Sequence, residues 1–205
     1  MKVLMINGSP HPKGNTSVAL NEMIKVFEEN GVEVKYYLVG NKAIRSCIAC
    51  NSCYKLDRCV FDDEVNEIAK EFEDADALVV GTPVYYAGPN ATLTALLTRL
   101  FYSTGFDKTM KVGAAVVTAR RSGTTATFDA LNKYFTISGM PVASSYYWNN
   151  YYGKASDPDN QDIEGRRVMR QLARHIVFLM RGIELAKEEY GMPVYEQGEM
   201  TNFMR

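Results

Sequence analysis

KVLMINGSPHPKGNTSVALNEMIKVFEENG, residues 2–31, holds the reading that decides the fold. KVLMI (2–6) is an unbroken apolar run that ends in Asn-Gly, as a strand buried on both faces does. A loop of small and hydroxyl-bearing residues follows. The segment 14–31 then places Val18, Met23, Val26 and Phe27 near helical spacing, and Gly31 stops it. A buried strand feeding a helix through a short polar loop is the first half of a β-α-β unit. It predicts a parallel sheet with helices on its faces.

The same alternation continues outward. VEVKYYLV (32–39) reads as an edge strand, DDEVNEIAKEFEDA (62–75) as a helix with acidic residues in its first turn, and ALVVG (77–81) as a second buried strand. PNATLTALLTRLFYS (89–103) is a helix opened by Pro89, KVGAAVVT (111–118) a third buried strand, and TTATFDALNKYFTISG (124–139) a helix closed by Gly139. PVASSYYW (141–148) reads as the last strand, and 162–191 as a long helix with a broad apolar face, followed by an irregular tail to residue 205. No repeat, low-complexity segment or linker interrupts the pattern, so 1–205 reads as a single α/β domain. The expected architecture is a flavodoxin-like three-layer sandwich: a five-stranded parallel sheet, order 2-1-3-4-5, with ligands beyond the carboxyl ends of the strands.

The 205 residues are 46% hydrophobic and 23% charged, with a net charge of −1 and no block of like charge. That balance gives no electrostatic reason for a nucleic acid or an anionic membrane as partner. The apolar runs are too short to span a bilayer, and MKVLMING has no cleavage site of small residues. The expected compartment is the cytoplasm, where thiols stay reduced.

The first loop, NGSPHPKGNTS (7–17), suits a phosphate: backbone N–H groups and the positive end of a helix attract the anion, and Ser9, Thr16 and Ser17 offer hydroxyls. It is not a nucleotide P-loop, because five residues separate Gly8 from Gly14 and Asn15 stands where Lys is needed; GxGxxG is also missing. An ordinary strand-to-helix loop would look similar. Two more loops belong at the same edge. GTPVYYAGPN (81–90) offers Tyr85 and Tyr86, with Pro83, Val84 and Gly88, as a surface for a flat ring. TARRSGT (118–124) offers Arg120 and Arg121 to negative charge on such a ring, or simply to solvent.

With these loops in place the chain resembles the NADPH-dependent FMN reductase and iron–sulfur flavoprotein branch of the flavodoxin-like superfamily. The resemblance rests on NGSPHPKGNTS, on CIACNSCYKLDRC (47–59) with DDE (62–64) after it, on GTPVYYAGPNATLTALLTR and on the terminal TNFMR, so it covers the whole chain. It implies non-covalent FMN. Ser9, Gly14, Asn15, Thr16 and Ser17 would hold the phosphate, and Pro83, Val84, Tyr85 and Tyr86 would border the isoalloxazine. His11 stands where many relatives carry Arg, and Lys13 is the nearby alternative cation.

CIACNSCYKLDRC, in a loop spanning 45–60, contains every cysteine of the chain: Cys47, Cys50, Cys53 and Cys59. The compartment disfavours a disulfide. Structural zinc usually takes two separated pairs. Three cysteines at intervals of three with a fourth six further on are closer to the run that wraps a [4Fe–4S] cube. A loop that binds nothing is the remaining reading. The resembling iron–sulfur flavoproteins carry such a motif after strand 2 and hold a [4Fe–4S] cluster with it.

The expected function is therefore an FMN-dependent electron-transfer oxidoreductase that couples a [4Fe–4S] cluster to FMN, with a ferredoxin-like donor. The alternative is an NAD(P)H-dependent FMN or quinone reductase without a cluster; a redox or metal sensor is a third reading. No catalytic triad is apparent, and His175, inside the last helix, reads as a packing residue. SSYYWNNYYGK (144–154) gathers four tyrosines and the only Trp, and its aromatic run 146–152 reads as a lid or an interface. The resemblance implies a homo-oligomer, dimer or tetramer.

Overall fold

The computed structural model describes residues 1–154, 162–196 and 198; the polar stretch ASDPDNQ and the terminal TNFMR lie outside them. In chain order the elements are β1 (Lys2–Asn7), α1 (Asn15–Glu29), β2 (Glu33–Leu38), α2 (Cys53–Leu56), α3 (Glu64–Asp74), β3 (Ala77–Tyr85), β4 (Gly88–Pro89), α4 (Ala91–Ser103), β5 (Val112–Ala119), α5 (Thr124–Thr136), β6 (Asn150–Tyr152) and α6 (Ile163–Tyr190).

The sheet runs β2-β1-β3-β5-β6, every neighbouring pair parallel, and the two-residue β4 folds back antiparallel on β3. With β4 set aside this is the 2-1-3-4-5 order expected from the sequence; β4 makes the strand count six rather than five. The apolar run of β1 explains the three layers. Val3 and Met5 point into one core with Leu20 and Phe27 of α1 and Met169, Leu172 and Ile176 of α6. Leu4 and Ile6 point into the other, with Val65 and Phe72 of α3, Leu96 and Leu100 of α4 and Phe135 of α5. Alternate residues of one strand thus serve opposite faces, so both faces must be covered.

Two expectations need correction. β3 extends to Tyr85, well past Gly81, because Gly81, Thr82 and Pro83 continue the ladder opposite Val116, Val117 and Thr118. Most of the stretch read as a loop is therefore strand and hairpin. The last strand is not 141–148. Near Val142 there is only a bridge to Gly113, and the paired strand is Asn150–Tyr152. Within Ser144 to Trp148 the large side chains Tyr146, Tyr147 and Trp148 are exposed rather than packed in the core. Tyr151, only 1% exposed, brings the chain back to β5.

The long helix is fixed by polar ties as well. Glu22 of α1 is buried and accepts bonds from Lys25 at 2.9 Å, Arg166 at 3.2 Å and Arg170. His175 bonds the carbonyl of Ser144 through Nδ1 at 2.6 Å and Gln171 through Nε2 at 2.8 Å, a packing role. Burial works against the charge of Glu22, but the bonds from Lys25 and Arg170 outweigh it and hold the carboxyl below its ordinary value of 4.5. The unfolded chain then takes up the proton more readily. The stabilisation is complete above that ordinary value and is lost as the pH falls through the lower folded value. Glu22→Gln is expected to cost about 2 kcal/mol at pH 7 and to flatten the acid limb of the stability curve. Thermal melts between pH 7 and pH 3 check this; an acid limb equally steep in the variant would assign it to other groups.

Candidate functional site

At the carboxyl edge of the sheet a groove of about 230 Å³ lies between the first loop, the end of β3 and the residues after β5. Its phosphate-like end is the N-terminus of α1. Gly14 occupies the cap position without a side-chain cap, and the first turn carries no acidic residue. By contrast Asp63, Asn90 and Asp162 cap α3, α4 and α6 with their own side chains. The first N–H groups of α1 are thus left for an anion at the positive end of a fifteen-residue helix.

The loop that delivers those donors is locked from several sides. Asn7 Oδ1 accepts from Ser9 N at 2.8 Å, and its Nδ2 donates to Ser17 Oγ at 2.9 Å and Tyr36 Oη at 2.7 Å. Gly8 N donates to Gly81 O at 2.7 Å, and Asn90 Nδ2 donates to Gly8 O at 2.7 Å. Gly40, just past β2, packs its backbone directly on this loop: a Cβ there would lie 2.2 Å from Ser9 C and 2.3 Å from Gly8 O. Thr16 shares a 2.8 Å hydroxyl bond with Thr118, which joins the first loop to the third.

Ser9, His11, Gly14, Asn15 and Thr16 line the groove on one side, and Pro83, Val84, Tyr85 and Arg120 on the other. Ser17 is turned into the Asn7 network, and Lys13 is exposed outside the groove lining. Tyr86 is fully exposed at the hairpin tip, and Gly88 pairs with Tyr85 across the hairpin. Tyr86 has a φ of 55°, a positive value of the kind that two-residue hairpin loops use at their first position. Burial pushes the Tyr85 phenol above its ordinary value, so it stays neutral at working pH. Thr118, Ala119 and Gly153 also line the groove. Gly153 comes from the aromatic stretch through its N–H bond to Ala119 O at 3.0 Å. Tyr146, Tyr147 and Trp148 of that stretch are more than half exposed.

The cysteine loop sits beside α4. All four cysteines line one small pocket of about 20 Å³, with Phe61, Arg99, Tyr102 and Ser103 behind them. Three residues of the loop region, Ala49, Asn51 and Asp57, adopt left-handed φ near 50–58°, each at a cost of order 1 kcal/mol. Cys47 and Cys50 are exposed, Cys53 is half-buried and Cys59 is buried. Cys47 Sγ accepts from Ala49 N at 3.4 Å, and hydrogen bonding from Ser52 holds the Cys50 thiol below its ordinary value.

Cys59 is the most firmly held of the four. Asn66 of α3 accepts from its N–H at 3.0 Å and donates to its carbonyl at 3.1 Å. Arg99 Nε reaches its sulfur at 3.2 Å while the guanidinium forks onto Asp63 at 2.6 and 2.9 Å and reaches Arg45 O at 3.2 Å. The side chain of Arg99 is only 1% exposed. Burial opposes its charge, but Asp63 and Cys59 more than compensate and hold it above its ordinary value. Among the described residues no group of three or more His, Cys, Asp or Glu side chains stands ready to grip a metal ion. The pocket has room for about one water, so a cube requires the exposed stretch before Cys59 to open outward. The donor set fits: four thiols face one pocket, and the hydroxyl of Ser103 is buried there without a partner among the described residues.

Asn7, Gly40, Asn66, Asn90 and Arg99 were not singled out by sequence reasoning. The available signals were an Asn-Gly at a strand end and an arginine set between core leucines in TALLTRL.

Comparison with known proteins agrees with this geometry. The family model of the NADPH-dependent FMN reductases matches residues 1–153. An iron-sulfur flavoprotein of Methanocaldococcus jannaschii is 33% identical over 193 residues, covering 90% of this chain and 100% of that protein. One of Methanosarcina thermophila is 28% identical over 194 residues, covering 92% and 100%. A solved flavodoxin from the domain Archaea, 18% identical, superposes with a TM-score of 0.55 over 86% of this chain and 99% of that one, which makes the fold flavodoxin-like. The chain belongs to the NADPH-dependent FMN reductase family of flavin-dependent oxidoreductases, with iron–sulfur flavoproteins among its relatives.

Proposed function

We propose that the chain is an electron-transfer flavoprotein that binds FMN in the edge groove and a [4Fe–4S] cluster on Cys47, Cys50, Cys53 and Cys59. The observation that carries the cluster half is the gathering of all four thiols on one pocket backed by Arg99 and Ser103. When bound, the cluster supplies one-electron transfer and FMN one- or two-electron transfer.

The chain's own residues bind and orient. The free N–H groups at the start of α1 and the Ser9 and Thr16 hydroxyls meet the phosphate. Pro83, Val84 and Tyr85 wall the ring, and Arg120 offers positive charge at its edge. Tyr86→Gly is expected to leave stability within about 0.5 kcal/mol, because relief of left-handed strain and the entropy of glycine are each about 1 kcal/mol and opposite in sign. The same variant decides whether Tyr86 covers the ring: FMN binding about tenfold weaker in a flavin-fluorescence titration assigns it that role, and unchanged binding removes it.

The deciding experiment is anaerobic purification with iron, sulfide, zinc and flavin counted per chain. About four irons with one FMN support the reading. One FMN and no iron after attempted reconstitution would remove the cluster half. A plain NAD(P)H-dependent FMN or quinone reductase would then stand, the second reading, which keeps the edge groove and leaves the cysteine loop without a cluster. Rapid bleaching of the flavin by NADPH or NADH supports that donor; bleaching only by reduced ferredoxin supports the first. The exposed Tyr146, Tyr147 and Trp148 favour self-association, for which light scattering at micromolar concentration is the check. No described helix is long and apolar enough to cross a membrane.

A further inference from the structure

Arg99, Tyr102 and Ser103 come from the C-terminal end of α4 and form the back wall of the cysteine pocket. Arg99 and Ser103 are four residues apart and so share one helix face. Two features of this wall are unusual. An arginine only 1% exposed spends one N–H on the sulfur of Cys59, although Asp63 already satisfies its fork. The Ser103 hydroxyl, on a residue 6% exposed, lines the same pocket and has no partner among the described residues. Leaving a buried hydroxyl unpaired is costly, and native proteins keep few such groups without a reason.

We infer that Arg99 and Ser103 are positioning residues for sulfur. Arg99 fixes Cys59 as the preset anchor of the pocket, and the Ser103 hydroxyl donates to sulfur once a cluster is seated. This rests on the cluster reading, except that the Arg99–Cys59 bond is present without a cluster. The division of labour follows from the geometry. Cys59 is clamped by Asn66 through its backbone and by Arg99 through its sulfur, whereas Cys47, Cys50 and Cys53 lie on the more exposed part of the loop. One fixed thiol and three adaptable ones allow a cluster to be captured on the anchor and then enclosed. Hydrogen bonds to cluster sulfur stabilise the more negative reduced state and raise the potential.

The test uses the full chain with Arg99→Lys and Ser103→Ala, loaded anaerobically with ferrous iron and sulfide. Arg99→Lys should lose iron to a ferrous chelator roughly ten- to a hundredfold faster than wild type, the usual effect of removing a residue that orients a ligand. Both variants should lower the midpoint potential in an EPR-monitored titration. Ser103→Ala should melt lower than wild type when loaded and no lower when empty. A loss confined to the loaded protein distinguishes a hydroxyl bonded to sulfur from one that merely packs.

Wild type that loads while both variants keep its iron retention, potential and melting would overturn the inference and leave the cluster reading standing. Wild type that takes up no iron would overturn that reading and the Ser103 role with it. The anchor role is then decided by iodoacetamide labelling of the unloaded protein, read cysteine by cysteine. Labelling of Cys59 at least about tenfold faster in Arg99→Lys, with Cys47, Cys50 and Cys53 unchanged, supports the anchor; equal rates would sink it.

Discussion

Gly40→Ala should cost the chain about 3 kcal/mol, divided between stability and its hold on FMN in the proposed groove. The added methyl would sit 2.2 Å from Ser9 C, 2.3 Å from Gly8 O and 2.5 Å from Pro10 N. All three are backbone atoms, so no side chain can rotate away. The loop they belong to is also tied to Gly81, Asn90 and the Asn7 side chain. Forcing extra volume into such a contact costs about 3 kcal/mol, near the upper end of the range for overpacking. If the loop holds its shape, the whole amount appears as lost stability. If it yields, the donors of α1 move off the phosphate and FMN affinity falls by about a hundredfold. A melting curve and a flavin titration on the same sample should together recover the total. Gly88→Ala is the control: nothing lies within 4 Å of its added methyl, and its effect should stay within about 0.5 kcal/mol. A Gly40→Ala protein with wild-type melting and wild-type FMN affinity would show that the loop is not held as the structure has it.

Gly40 also illustrates what the sequence can and cannot display. The buried strands were legible because Val3, Leu4, Met5 and Ile6 need apolar surroundings on both sides, and that need is written in consecutive residues. The first loop was legible for a related reason: small and hydroxyl-bearing residues between a buried strand and a helix start suit an anion, and they too are consecutive. Contacts between distant segments leave no such local trace. Gly40 looks like any loop glycine until β2 is paired with β1 and carries it onto Ser9. The last strand was misplaced for the opposite reason. PVASSYYW has strand-forming residues, but propensity does not say which stretch the core accepts, and Tyr151 rather than Trp148 is buried. Among the cysteines, spacing announced a shared purpose, but not the partners that hold Cys59. Arg99 lies three residues past Leu96 and four before Ser103 on an apolar helix, and its partners Asp63 and Cys59 come from the region before α3. An arginine among buried leucines demands a carboxylate; which one is fixed only by the packing of α3 on α4.

Arg99→Ala should be the most damaging single change in the cysteine region. It removes the donors to Asp63, Cys59 and Arg45 O at one stroke and empties the volume of a buried side chain that also stacks 5.0 Å from the Phe61 ring centre. Breaking a buried ion pair from one side costs about 3–5 kcal/mol, mainly because the other charge is stranded. Asp63 keeps 23% of its side chain in water, which places the expected loss near the lower figure, about 3 kcal/mol. For a chain of this length that is a fall in Tm of about 10 °C. The cause can be separated from the size. Arg99→Met keeps much of the volume but strands Asp63, and Asp63→Asn in that background removes the stranded charge while keeping an oxygen to cap α3 through Val65 N. If the charge dominates, the double variant should be more stable than Arg99→Met alone by about 1–2 kcal/mol, a coupling typical of groups in direct contact. If the double variant melts no higher, the loss lies in packing against Phe61 and in the bonds to Cys59 and Arg45, and the ion pair contributes little beyond holding the guanidinium where the sulfur needs it.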